Sequence, residues 1–225
     1  MRHGYGIGGR AFKAALLVVV AGALAAGPVG AAVLRTVQYT VTAPTRSERW
    51  NAVLNVPLFD PHLGTLRQVT LRLDGRVEGS ARFENLDARP LSVTQTLGTL
   101  LDLRTPTQAT LLQCLPLRKT SDDAASFDGA TDYAGASGRT HPGLSADQRV
   151  EVQLVAAAEL RLFTGTGTLP LTLLSRPSCG GTGTGNFAQF FTTRSSGVLT
   201  VIYGYEAAPV PVQPVTWSHL KLLGR

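Results

Sequence analysis

The sequence predicts an all-β protein, an antiparallel β-sandwich of about ten strands that follows a cleaved N-terminal signal peptide. Three observations carry this. Apolar and polar residues alternate in short runs, as in Val69-Thr70-Leu71-Arg72-Leu73, which places one face on a core and one in water. Clusters of Gly, Pro and Asp separate the runs, and no long helical pattern intervenes. Ahead of them, Arg2, Arg10 and Lys13 precede an apolar run from Ala14 to Ala26 with a small-residue exit. That run falls short of the roughly 20 apolar residues a membrane anchor needs.

The leader occupies residues 1–32. Gly30-Ala31-Ala32 is one cleavage motif and Ala23-Leu24-Ala25 the other. The sandwich is expected over 33–205, and a Pro-punctuated tail over 206–225. The first strands are read at 36–42 and 50–58. Alternation over 69–73 resumes with Val77, Gly79, Ala81 and Phe83, and the intervening Asp74-Gly75 predicts a tight hairpin turn. Residues 91–103 exceed a usual strand, so a bend or bulge is expected near Gly98. Further strands fall at 109–117, 150–156, 169–175, 187–194 and 197–205. Residues 156–163 carry a short helical pattern without a cap and are read as strand or loop. The stretch 119–145, rich in Asp, Ser, Gly and Ala, reads as a long loop, and the Gly-rich 179–185 as a flexible connection. Beyond Tyr205, Pro209, Pro211 and Pro214 suit an extended tail, and no window there reaches the length of a bilayer core, so no C-terminal membrane span is expected.

The formal charge of +6 overstates the basic character of the folded part. Three of the 21 basic residues lie in the leader, which leaves 18 against 15 acids. The remaining arginines, among them Arg67, Arg72, Arg76, Arg82, Arg89 and Arg104, are spread singly, whereas a nucleic-acid partner would need a basic cluster. None is expected. Cys114 and Cys179 are the only cysteines, and in an exported chain a lone pair reads first as a disulfide. Its loop of about 65 residues would contribute about 4 kcal/mol in the chain-entropy model. Two unpaired thiols are the alternative.

No catalytic constellation emerges. The Gly-rich stretch after Cys179 lacks the Lys and Ser/Thr of a phosphate cradle, and no nucleophile elbow or His-Glu-x-x-His is present. His62, His141 and His219 have unremarkable neighbours, and Glu78 and Glu84 share one predicted solvent face. Asp122, Asp123, Asp128 and Asp132 crowd one segment and are the metal candidates, suited to Ca²⁺. Their spacing is not that of an EF-hand, and a solvated acidic loop takes precedence. No other cofactor is expected. Trp50, Trp217, Tyr39, Tyr133, Tyr203 and Tyr205 would serve a carbohydrate-binding module if they formed an exposed row, although strand aromatics more often fill cores.

Five stretches in order resemble a known family. They are Phe59-Asp60-Pro61-His62-Leu63-Gly64-Thr65-Leu66, Phe83-Glu84-Asn85-Leu86, Phe127-Asp128-Gly129 with Asp132-Tyr133-Ala134-Gly135, Phe163-Thr164-Gly165-Thr166-Gly167, and Val201-Ile202-Tyr203-Gly204-Tyr205. The set, covering nearly all of 36–205, resembles the choice-of-anchor E domain of exported bacterial proteins. The resemblance implies a surface-attached or secreted β-rich domain with no catalytic residues to carry over. Envelope or matrix polysaccharide or protein would be its partner.

Overall fold

The computed structural model describes residues 34–208. The signal-peptide reading of 1–32, and the tail residues Pro209, Pro211, Pro214, Trp217 and His219, lie outside the described residues. Within them the chain forms ten strands: β1 (Leu34–Ser47), β2 (Trp50–Pro57), β3 (Gly64–Asn85), β4 (Leu91–Arg104), β5 (Thr110–Cys114), β6 (Leu117–Ala124), β7 (Gly138–Leu154), β8 (Thr168–Pro177), β9 (Gly180–Gly183) and β10 (Phe187–Ala207). One sheet has the order β1-β10-β3-β7. The other runs β2-β8-β4-β5, with β6 and β9 also paired to β4, and all these strand pairs are antiparallel. Two such sheets bury their apolar faces against each other, so the predicted sandwich is observed.

The main core lies between β10 and β3 on one side and β2, β8 and β4 on the other. Val69, Leu71, Leu73, Leu199, Val201 and Tyr203 face Leu54, Val56, Leu101, Leu103, Leu171 and Leu173. Tyr203 is its hub. Its ring centroid lies 6.0 Å from Tyr39, 5.9 Å from Phe59 and 6.4 Å from Phe163, and its hydroxyl donates to the Pro57 carbonyl at 2.7 Å. A smaller core of Phe83, Leu91, Val93 and Ala124 closes the other end of the long strands.

The predicted Asp74-Gly75 hairpin is wrong. β3 passes through both residues without turning, and Gly75 pairs with Gly197 on one side and Gln148 on the other. Glycine is there for space. A Cβ on Gly75 would stand 2.6 Å from Leu101 Cδ1 and 2.7 Å from Cys114 Sγ. Asp74 faces outward and pairs with Arg149. The two last predicted strands are likewise one, β10.

Near Gly98 the long fourth strand does change character. Residues Leu91 to Gly98 pair with β6, whereas Thr99 to Arg104 pair with β8. A Cβ on Gly98 would meet the Ser178 carbonyl oxygen at 2.9 Å, so the partner exchange needs glycine.

Three other expectations are corrected. Most of 119–145 is strand: β6 and β7 take all but residues 125–137. Strand pairing to β4 and β3 outweighs the polar composition, because β6 and β7 lie at the margins of the sandwich. The Gly-rich connection contains β9, paired to Val93–Thr96 of β4. The segment read as strand or loop is the helix α1 (Ala157–Leu162), whose first turn is held by Glu159 accepting from the Ala156 N–H at 3.1 Å.

Candidate functional site

Between the two cores runs a polar layer, and it holds the most unusual chemistry of the described residues. Its first part is a relay of buried donors. The Trp50 indole donates to Ser195 Oγ at 2.9 Å, Ser195 and Ser175 share a bond of 2.7 Å, Ser175 and Thr99 one of 3.0 Å, and Thr99 donates to the Arg176 carbonyl at 3.2 Å. An indole only donates and a carbonyl only accepts, so every hydroxyl must point the same way along the chain. Such head-to-tail chains polarise one another, and this one ties β10 to β2, β8 and β4.

The second part of the layer lies where β4 pairs with β6. Gln95 is 1% exposed and directly opposite Thr120. Its Nε2 donates to the Arg82 carbonyl at 3.1 Å, while Gln95 Oε1 and Thr120 Oγ1 are both buried with no hydrogen-bond partner. The next inward residue of β6, Asp122, meets His141 of β7, with His141 Nε2 2.7 Å from Asp122 Oδ2. Arg139 Nε stands 3.8 Å from Asp122 Oδ1. The sequence reading missed Gln95, Thr120 and the partnership of His141 with Asp122. A signal existed for the first: Gln95 interrupts the apolar phase of Leu91, Val93 and Leu97.

The four acids singled out as metal candidates are dispersed. Asp122 faces His141, and Asp123 accepts from Ser92 on the opposite face of β6. Asp128 Oδ1 accepts from the Ala130 N–H at 3.0 Å and Asp132 Oδ1 from the Ala134 N–H at 2.9 Å, both closing local turns. Among the described residues, no group of three acidic, His or Cys side chains converges to hold a metal. The 125–137 connection is fixed by turn chemistry and by contacts to the strand ends. Gly129 and Gly135 adopt φ of 100° and 68°, and the Phe127 N–H bonds the Asp87 carbonyl at 2.8 Å. Tyr133 is pinned twice: its N–H donates to Glu84 at 2.7 Å, and Arg82 lies 4.6 Å over its ring. Glu84 is therefore fully buried beneath this connection and not on the solvent face predicted for it with Glu78.

The predicted bridge between Cys114 and Cys179 is absent, and both thiols are free. Cys114 lies opposite Leu101 of β4 and donates to the Gln148 carbonyl at 3.2 Å, whereas Cys179 Sγ lies 3.6 Å from the carbonyl of Gly98. Those anchor points on β4 are about 10 Å apart at the rise of a strand, too far for a disulfide. Burial pushes the Cys114 thiol from its ordinary 9.0 to about 11, and burial raises Cys179 as well. A group that holds its proton more tightly in the folded state contributes stability that is complete below the unfolded value and lost as pH rises through the folded one. The urea midpoint should therefore fall between pH 9 and 11, and Cys114→Ala should flatten that fall, leaving the shares of Cys179 and of Tyr203, both of which burial also raises. An unchanged slope in the variant would remove Cys114 as the source. Both thiols should alkylate fully in denaturant without reductant.

On the outer face of the four-stranded sheet, ion pairs cross from β3 to β7: Arg72 with Glu151, Asp74 with Arg149, and Arg76 with Asp147. A shallow groove of about 390 Å³ lies over this ladder, flanked by Ser196 and Val198. Among the described residues, the aromatic side chains do not form an exposed row. Tyr203 and Trp50 are buried and Tyr39 and Tyr205 pack against the main core, which leaves Phe190 and Tyr133 flanking Arg82. Among the described residues, no helix is long and apolar enough to cross a membrane.

No known family model matches the chain, and no curated protein matches it. Among solved structures it is similar to one described as "Structure of infectious bursal disease virus Gx strain", at 12% identity over 92% of this chain and 53% of that one, with a TM-score of 0.21. A second, "Crystal structure of the T13 IBDV viral particle reveals a missing link in icosahedral viruses evolution", gives 15% identity, 91% and 50% coverage, and a TM-score of 0.19. The chain thus spans about half the length of the solved structures it matches, and a likeness this loose carries no argument about assembly or activity.

Proposed function

We propose that the chain is an exported, non-enzymatic β-sandwich module with a structural or adhesive role in the cell envelope or extracellular matrix. The observation that carries this is where its polar side chains are used. The relay from Trp50 to Thr99 joins the two sheets inside, and the ladder of Arg72, Asp74 and Arg76 with β7 joins strands outside. Groups arranged this way hold strands together. The basic leader and the resemblance to the choice-of-anchor E domain support the location, with an envelope polysaccharide or protein as partner.

Fractionation of the native source with an antibody to the sandwich, followed by N-terminal sequencing, tests the reading. The mature protein should begin near residue 33 and sit in the cell-wall or extracellular fraction. Intact protein starting at Met1 or Arg2 in the cytoplasm would overturn it. A polysaccharide array probes the carbohydrate-binding alternative.

A further inference from the structure

We propose that Thr120 and Gln95 form an intramolecular ester that covalently joins β6 to β4. The two residues are directly opposite each other on adjacent antiparallel strands and face the interior, where such a pair has its Cβ atoms about 5 Å apart. The Thr120 hydroxyl and the Gln95 carboxamide oxygen are each buried without a partner, a state that native interiors rarely leave unexplained. A nucleophile and a carbonyl group are thus held side by side away from water, where proximity is most effective and hydrolysis is suppressed.

A base is at hand in the same layer. His141 is held by Asp122, the inward residue of β6 that follows Thr120 on this face, at 2.7 Å through Nε2. In the neutral tautomer that donates Nε2–H to the carboxylate, Nδ1 is the accepting nitrogen, and the Asp122–His141 pair has the composition of an orienter and a general base. The chemistry balances without any co-reactant. Thr120 Oγ1 attacks Gln95 Cδ as His141 takes the hydroxyl proton, giving a tetrahedral centre. That centre collapses with cleavage of the Cδ–Nε2 bond, and His141 returns the proton to the departing nitrogen. Ammonia leaves and an ester remains. Escape of ammonia to solvent makes the step one-way. The Gln95 Nε2–H bond to the Arg82 carbonyl at 3.1 Å fixes the plane of the carboxamide beforehand. The bond would lock β6 to the strand that changes partners at Gly98, the joint between the two cores, and it holds wherever the protein resides.

The intact mass of the purified, folded protein decides the matter. Expected is a mass below that of the sequence by one ammonia, with a protease map that links the peptide bearing residue 95 to the one bearing residue 120. Hydroxylamine, which cleaves esters, should release the pair. Thr120→Val, which keeps the volume and removes the nucleophile, should restore the full mass, and so should Gln95→Leu. His141→Ala should slow the loss of ammonia after refolding at least tenfold, and an unchanged rate in that variant would overturn the assignment of the base. A wild-type mass equal to that of the sequence, or an ammonia loss mapped to any other residue, would overturn the ester, leaving two unbonded polar side chains opposite each other.

Discussion

Replacing Tyr203 with alanine is expected to destabilise the protein by about 3–5 kcal/mol, the usual cost of deleting a fully buried aromatic ring. Against a total of about 5–15 kcal/mol for a domain of this kind, that is a large share. Tyr203 is 0% exposed and touches aromatic rings from three directions: Tyr39 on β1, Phe59 after β2, and Phe163 at the end of α1. The loss would therefore be felt in both sheets and at the helix. Tyr203→Phe separates the ring from the hydroxyl, and should cost only about 1 kcal/mol for the bond to the Pro57 carbonyl. Urea unfolding of the two variants measures both terms. A change below about 1 kcal/mol in Tyr203→Ala would mean the site collapses around the missing ring and is no hub.

The sandwich was legible in the sequence because period two is a local property. Its connectivity was legible only where the phase of that period was followed. Asp74-Gly75 has the composition of a two-residue turn, yet Val69, Leu71, Leu73, Val77, Ala81 and Phe83 all occupy odd positions. In a two-residue hairpin, residues 73 and 76 face each other and share a side, so 77, 81 and 83 would fall on the face opposite to 73. An unbroken phase therefore marks one continuous strand. Gly75 has another cause, the close approach of Leu101 and Cys114, which come from strands no local window contains. Composition misled in the same way over 119–145. Thr120 and Asp122 look like loop residues because their inward face meets the polar layer of Gln95 and His141 and not an apolar core. What could be read there was the single polar residue in the phase of β4.

The stretches that carry the resemblance fall at positions that organise the fold: the Phe59 N–H donates to the Phe163 carbonyl at 2.8 Å, and Tyr203 packs against both rings. Asn85 binds the carbonyls of Arg89 and Ala125 at 2.8 and 2.6 Å, and so gathers the strand end against the 125–137 connection. These are demands of architecture. The two cysteines carried no comparable information, since spacing in sequence says nothing of the distance between two Cα atoms.

A methyl group added at Gly79 should cost about 3 kcal/mol or more, beyond the ordinary range of overpacking. The Cβ of Gly79→Ala would overlap the Thr192 carbonyl oxygen and stand 2.9 Å from its carbon, so the obstacle is backbone and no rotamer change relieves it. Both neighbours of β3 are constrained at this point. On the β10 side the Thr192 hydroxyl accepts the Ser80 N–H at 3.1 Å, and on the β7 side the register shifts between Gly79 and Ala81. Moving β10 outward would therefore open a ladder that β7 cannot follow. Gly180→Ala provides the control, because nothing lies within 4 Å of a Cβ at that position. It should stay within about 0.5 kcal/mol of the parent, as surface changes usually do. Urea midpoints compare the two, and amide exchange along β3 and β10 locates the damage. If Gly79→Ala proves as mild as the control, β10 can yield at Thr192, and glycine at this position reflects something other than the close approach of the two backbones.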